Sequence, residues 1–126
     1  MKQRPLSPFM IGPYYRPQLT SMLSITHRAT GVLLGLVGAP LLLLWIIAVS
    51  RGPENLNSLY ALLASWPGKL LSLALLFSLC FHFCNGIRHL IWDTGRMLQI
   101  DAAYRAGYVV LATALISTLV LAGVLL

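Results

Sequence analysis

Three long apolar runs, separated by short polar stretches, set the pattern of this chain. The first extends from about Thr30 to Ser50, the second from about Gly68 to Trp92 and the third from about Tyr104 to Leu126. Each supplies the roughly 20 apolar residues that a helix needs to cross the hydrocarbon of a bilayer. The pattern therefore predicts an all-α membrane protein with three transmembrane helices. Pro40 falls in the middle of the first run and predicts a kink, tolerable where neighbouring groups satisfy the carbonyl it frees. The polar lead from Met1 to Arg28 carries Pro5, Pro8, Pro13 and Pro17. That density of proline opposes regular structure and predicts an extended arm at the membrane surface, leading into the first helix. The first run is too long, and its polar lead too extended, for a cleaved signal peptide. There are no internal repeats, so residues 1–126 read as a single membrane-anchor domain. Three helices enclose a small interior, and a cofactor between them would need walls from another chain.

Composition narrows the picture. Hydrophobic residues make up 58% of the 126 residues and charged residues only 10%, which excludes a water-soluble catalytic domain. The formal charge of +6 bears on topology and lipid headgroups before nucleic acid. Lys2, Arg4, Arg16, Arg28, Arg88, Arg96 and Arg105 fall on one side of the predicted spans, and only Arg51 and Lys69 on the other. Positive charge collects on the inner side, so the N-terminus is expected inside and the C-terminus outside. Trp92, Tyr104 and Tyr108 would mark the inner interface, and Tyr60 and Trp66 the outer one. Cys80 and Cys84, one helical turn apart, read as small core residues. No Cys-x-x-Cys-His motif is present, so covalent haem attachment of the c type is excluded.

The polar residues inside the apolar runs carry the chemistry. His82, His89 and Asp93 are spaced seven and then four apart, which places them on one helical face. An ionisable side chain within a span is a candidate functional group, and a neutral imidazole in an apolar setting is a good axial ligand for haem iron. Ser78, Asn85 and Gly86 share the same stripe. A second cluster, Ser24-Ile-Thr-His27-Arg28-Ala-Thr-Gly31, puts Ser24, His27, Arg28 and Gly31 on one face. Gly31 and Gly35 form a small-xxx-small pattern that admits a neighbouring backbone or a flat cofactor. His82 lies about 10 Å deeper than His89 at 1.5 Å per residue. An upright haem with iron at the depth of His82 would send its propionates toward His27 and Arg28. The chain has three histidines, enough for no more than one haem. His82 has no partner of its own depth within the chain, so a second axial ligand would come from another subunit. A pairing of His27 with His89 near the surface is a further option.

These motifs, with Arg4-Pro-Leu-Ser-Pro8 before them and His82-x-x-x-Gly86-Ile-Arg88-His89-Leu-x-x-Asp93 after, resemble the cytochrome b556 membrane-anchor subunits of succinate dehydrogenase, respiratory complex II. Such subunits often carry a histidine just after Ser-Pro, where this chain has Phe9. The resemblance implies a heterotetramer of the tricarboxylic acid cycle. Its flavoprotein subunit oxidises succinate, its iron–sulfur subunit relays electrons, and two membrane-anchor subunits embedded in lipid bind haem b and ubiquinone. It implies that His82 is one axial haem ligand, with the second from the other anchor. It also implies propionate contacts from His27 and Arg28, a ubiquinone pocket that includes Ser24 and Arg28, a less defined acidic role for Asp93 near that pocket and a supporting role for His89.

The chain holds no flavin or cluster ligands, so it is expected to receive electrons rather than generate them. Other readings are an anchor of a fumarate reductase-type, quinol-oxidising complex, a haem-free structural assembly anchor, and a small transporter subunit. The last is weakened because the polar residues gather at one end instead of lining a path through the membrane. The absence of an Arg/Ser-rich leader before Arg4 favours a bacterial cytoplasmic (inner) membrane over a mitochondrial one.

Overall fold

The computed structural model describes residues 17–125, and these are helical apart from short connections. In chain order they form α1 (Leu19–Leu33), a π-helical turn (Leu34–Gly38), α2 (Ala39–Arg51), α3 (Pro53–Ala64), α4 (Trp66–Asp93) and α5 (Ile100–Leu125). α1, the π turn and α2 run on as one span, Leu19–Arg51, and α4 and α5 are the other two segments long and apolar enough to cross a membrane. The chain is an all-α, multi-pass membrane protein.

The first helix starts at Leu19, directly after Pro17 and Gln18, so the later part of the polar lead is helical. No proline follows until Pro40, and Leu19, Leu23, His27 and Thr30 fall on one helical face, of which Leu23 and Thr30 are buried. The part of the expected arm before residue 17, with Pro5, Pro8, Pro13 and Phe9, lies outside the described residues. At Pro40 the span widens into the π turn at Leu34–Gly38. Proline lacks the N–H that would bond the carbonyl four residues back, and a wide turn relieves the clash of its ring with the preceding turn.

One connection contains a helix that the apolar pattern does not announce. α3 begins at Pro53, which has no N–H to leave orphaned, and carries Glu54 in its first turn, where the helix dipole favours an acid. Gly52, between α2 and α3, has φ of 103°, a conformation that glycine adopts without steric cost. α4 opens at Ser65, whose side-chain oxygen accepts from the Gly68 N–H at 3.3 Å, and it ends with Gly95 at φ of 77°, whose N–H donates to the Trp92 carbonyl at 2.8 Å.

In lipid, association of helices rests on close packing and hydrogen bonds, because surrounding tails are as apolar as leucine. Small residues supply the closeness here. Ala103, Gly107, Val110, Ala114 and Thr118 form the buried face of α5. A Cβ at Gly107 would stand 2.8 Å from Leu23 Cδ1 and 3.2 Å from Leu19 Cδ2, so glycine lets the α1 leucines settle there without shifting. The core joins Leu23 of α1, Cys80 and Phe81 of α4, and Val110 and Ala114 of α5. It lies along α4, which packs on α5 by one side and on α1 by the other. Cys80 and Cys84 are free thiols.

Candidate functional site

The seam between α1 and α4 gathers all three histidines. The His27 and His82 rings stack with centroids 3.9 Å apart and planes 13° from parallel. His89 lies 5.2 Å from His27 and meets Trp92 edge-on at 5.3 Å. The rings thus form a continuous aromatic column from the end of α4 inward. Stacked rings do not converge their nitrogens on one point, and among the described residues no group of three or more His, Cys, Asp or Glu is placed to hold a bare metal ion.

His82 is held from several sides. Its Nδ1 lies 3.1 Å from the His27 carbonyl oxygen and 3.3 Å from Thr30 Oγ1. A carbonyl oxygen only accepts, so Nδ1 carries the proton and donates, and Nε2 keeps its lone pair. The ring lies close against the α1 backbone: a Cβ at Gly31 would stand 2.9 Å from His82 Cε1. In its neutral form His82 therefore offers an imidazole with one nitrogen committed and the other free, in a half-buried setting. That is the donor chemistry an axial haem ligand requires. The His27 ring has a complementary gap, because its Nδ1 is buried without a hydrogen-bond partner. The fit to a haem is therefore carried by a free ligand nitrogen at His82 and an unmet polar nitrogen at His27.

The second feature is a cleft of about 460 Å³ at the same end, lined by Thr20, Ser21, Ser24, Ile25, Arg28, Arg88, His89 and Trp92. Its size suits a ring-bearing small molecule. One turn of α1 presents Ser24 and Arg28 together, and Arg28 Nη2 donates to Ser24 Oγ at 3.1 Å. The serine oxygen is thereby occupied as an acceptor while its own O–H remains free to donate.

Of the residues singled out from sequence, Ser24 and Arg28 line the cleft, His27 and His82 stack, and His89 joins the two. Asp93, the last residue of α4, is exposed and does not line the cleft. Asn85 leaves the histidine stripe: it is fully buried and its Oδ1 accepts from Arg88 Nη1 at 3.4 Å. Arg88 is no surface charge. It is 4% exposed, donates through Nη2 to the Ala103 carbonyl of α5 at 3.1 Å, and stacks on the Trp92 ring with its central carbon 3.9 Å from the centroid. Trp92 Nε1 in turn donates to the Met97 carbonyl at 3.1 Å. Arg88 and Trp92 thus tie the end of α4 to α5 and to the loop between them, and they fix one wall of the cleft. Sequence reasoning gave Arg88 and Trp92 only interfacial roles. The available signal was the spacing Asn85, Arg88, Trp92, which places an amide, a guanidinium and an indole on one helical stripe. Thr30 went unassigned too, although it stands one position before the glycine that faces His82.

The model of the family described as succinate dehydrogenase/fumarate reductase transmembrane subunit matches residues 1–121 of this chain. Among similar proteins, the succinate dehydrogenase cytochrome b556 subunit of Rickettsia prowazekii is 39% identical over 120 residues, covering 94% of this chain and 90% of the relative. The mitochondrial succinate dehydrogenase cytochrome b560 subunit of Homo sapiens is 38% identical over 121 residues, covering 94% and 70%. The mitochondrial succinate dehydrogenase cytochrome B subunit of Schizosaccharomyces pombe is 35% identical over 124 residues, covering 91% and 65%.

Proposed function

The chain belongs to the succinate dehydrogenase/fumarate reductase transmembrane-subunit family, and from that premise we propose that it is the cytochrome b membrane anchor of a succinate dehydrogenase, contributing His82 to haem b and Ser24 and Arg28 to a ubiquinone-reduction site. The observation that carries the haem assignment is the committed Nδ1 of His82, which leaves Nε2 free at a half-buried position. His27 Nδ1, buried and unpartnered, and the Arg28 guanidinium are the groups that would hold the propionates. In this reading a second anchor subunit supplies the other axial ligand, because the His27 ring lies parallel over His82 and the two do not converge their nitrogens on one iron. Haem b, when bound, supplies a one-electron redox centre.

The quinone chemistry needs two electrons and two protons per head group. In this reading an iron–sulfur subunit, reduced by a flavoprotein subunit that oxidises succinate, delivers the electrons. Arg28 would stabilise the negative charge that develops on a quinone oxygen in the cleft. Ser24, its oxygen already accepting from Arg28, would donate its hydroxyl proton to the same class of acceptor. The isoprenoid tail stays in lipid. Charge asymmetry supports placing the N-terminus and the α4–α5 connection on the side of the soluble subunits. Reporter fusions after Leu126 and within residues 53–63 are expected to light up only in the outer compartment, and an inner signal at either point would reverse the orientation.

The decisive experiment is His82→Ala in the purified complex. The reduced-haem absorption bands are expected to vanish or shift while the subunit still inserts and assembles. Unchanged bands in an assembled complex would remove His82 from the iron.

A further inference from the structure

The geometry points to a role for Thr30 that no motif announces. We propose that Thr30 is a positioning residue for His82: its hydroxyl, with the His27 carbonyl, fixes the imidazole as the Nδ1–H tautomer and sets the plane in which Nε2 is presented. This rests on the reading of His82 as a haem ligand and deepens it.

The argument is one of donors and acceptors. Thr30 Oγ1 lies 2.9 Å from the Thr26 carbonyl and 2.9 Å from the His27 carbonyl. Its single hydrogen goes to these carbonyls of its own helix, the usual back-bond of a threonine within a helix. The hydroxyl oxygen then has only lone pairs left to offer to His82 Nδ1 at 3.3 Å. The His27 carbonyl, at 3.1 Å from the same nitrogen, also only accepts. Nδ1–H is therefore shared between two acceptors that are themselves 2.9 Å apart, a bifurcated bond that fixes the ring plane better than one acceptor would. Thr30 is itself 6% exposed, so water does not compete for its oxygen. Gly31 leaves the room for the ring, and the His27 ring covers it at 3.9 Å. All of these contacts come from one chain, so the ligand is set before a partner subunit or haem arrives.

Hydrogen bonding at the far nitrogen raises the basicity of an imidazole ligand and orients its ring. In Thr30→Val a methyl replaces the oxygen 3.3 Å from Nδ1. A methyl accepts nothing, and apolar contacts settle at about 3.5–4.0 Å, so the ring is pushed away from both acceptors. The ligand becomes less electron-rich and the ferric state less favoured, which raises the midpoint potential. Thr30→Ser keeps the oxygen, and Thr30→Ala removes it without adding bulk.

The test is the low-spin electron paramagnetic resonance signal of the oxidised haem, with a redox titration, in purified complexes carrying His82→Ala, Thr30→Val, Thr30→Ala or Thr30→Ser. His82→Ala is expected to abolish the wild-type signal. Thr30→Val is expected to shift the largest g value and raise the potential, Thr30→Ala to shift the g value, and Thr30→Ser to match wild type. A wild-type signal and potential in Thr30→Val, or in Thr30→Ala where the valine complex does not assemble, overturns the positioning role while loss of signal in His82→Ala leaves the ligand reading standing. A serine variant displaced as far as the alanine variant overturns it as well, since the hydroxyl would then not be the acting group. An unchanged signal in His82→Ala overturns both.

Discussion

The two ends of the bundle are built on different physics. At the histidine end, α1 and α4 approach closely enough that a single methyl at Gly31 would stand 2.9 Å from a ring atom, and polar groups gather there: Thr30 meets backbone, His82 meets Thr30 and His27, and Arg88 meets Asn85 and Ala103, while His27 Nδ1, Asn85 Nδ2 and Arg88 Nε stay buried without a partner among the described residues. At the far end, Ala48 is the one buried residue of α2, and the π turn and α3 have none. Leu42, Leu43, Leu44 and Ile46 are all more than half exposed. Their side chains are as well served by lipid or by a partner helix as by this chain. Apart from the α3–α4 corner, where a Cβ at buried Gly68 would stand 2.6 Å from Leu63 Cα, the far end therefore specifies little beyond apolarity. The histidine end specifies distances, because an unpaired polar group in hydrocarbon costs several kcal/mol.

The largest effect that would break this contrast comes from one methyl. Gly31→Ala is expected to displace the His82 ring from the His27 carbonyl, because the contact that must give is an imidazole ring confined between the α1 backbone and the His27 ring. Overpacking of this kind costs about 1–3 kcal/mol. The expected outcome is loss or marked alteration of the haem spectrum in a subunit that still reaches the membrane. A wild-type spectrum would mean that the seam is looser than its geometry.

That contrast also explains what could be read in advance. The three spans and the face shared by Ser24, His27, Arg28 and Gly31 were legible because hydropathy and helical spacing are properties of a segment and its own neighbours. The resemblance carried by the His82 to Asp93 motif was legible for the same reason. Contacts to backbone were not. Thr30 and His82 are 52 positions apart, and both engage the His27 carbonyl, which has no signature in sequence. Arg88 looked like one more interfacial charge because its acceptor on α5 is the carbonyl of Ala103, a residue chosen for smallness. α3 escaped notice because it is flanked by spans and carries no buried face, its signals being the local ones of Pro53 and Glu54. Pro40 announced a distortion, but its form, a π turn spread over the preceding residues, depends on how the whole span relieves the clash.

A second effect, on quinone reduction and not on the haem seam, separates the two donors of the cleft. Losing a neutral hydrogen bond costs about 0.5–1.5 kcal/mol and losing a charged one about 1.5–3 kcal/mol. Arg28→Leu is therefore expected to lower quinone reduction by roughly 10- to 150-fold and Ser24→Ala by several-fold. Succinate oxidation with an artificial acceptor that bypasses the membrane site stays near wild type in both. Arg28 is also assigned to a propionate, so the haem spectrum is taken on the same preparation to separate the two roles. Equal losses in the two variants would show that Ser24 acts only through Arg28, to which it is already bonded. Intact quinone reduction in an assembled Arg28→Leu complex would return the cleft to a plain interfacial cluster.

The smallest effect is expected one turn beyond Gly31, and it sharpens the boundary between the two regions. Gly31 and Gly35 are partners in the same small-xxx-small pattern, yet a Cβ at Gly35 would meet nothing within 4 Å in this chain. Gly35 lies in the π turn, on the side exposed to whatever surrounds the subunit. If only lipid lies there, alanine fills space that lipid can vacate, and its better helix propensity, up to about 1 kcal/mol over glycine, works toward stability. Gly35→Ala is thus expected to leave the haem spectrum and quinone reduction unchanged and the thermal stability of the subunit equal or slightly raised. If instead the second anchor subunit packs its backbone against this stretch, the same methyl would weaken association of the two anchors while leaving His82 untouched. Co-purification of the partner, measured beside the haem spectrum in this variant, distinguishes a glycine that makes room for an imidazole within the chain from one that makes room for a neighbour.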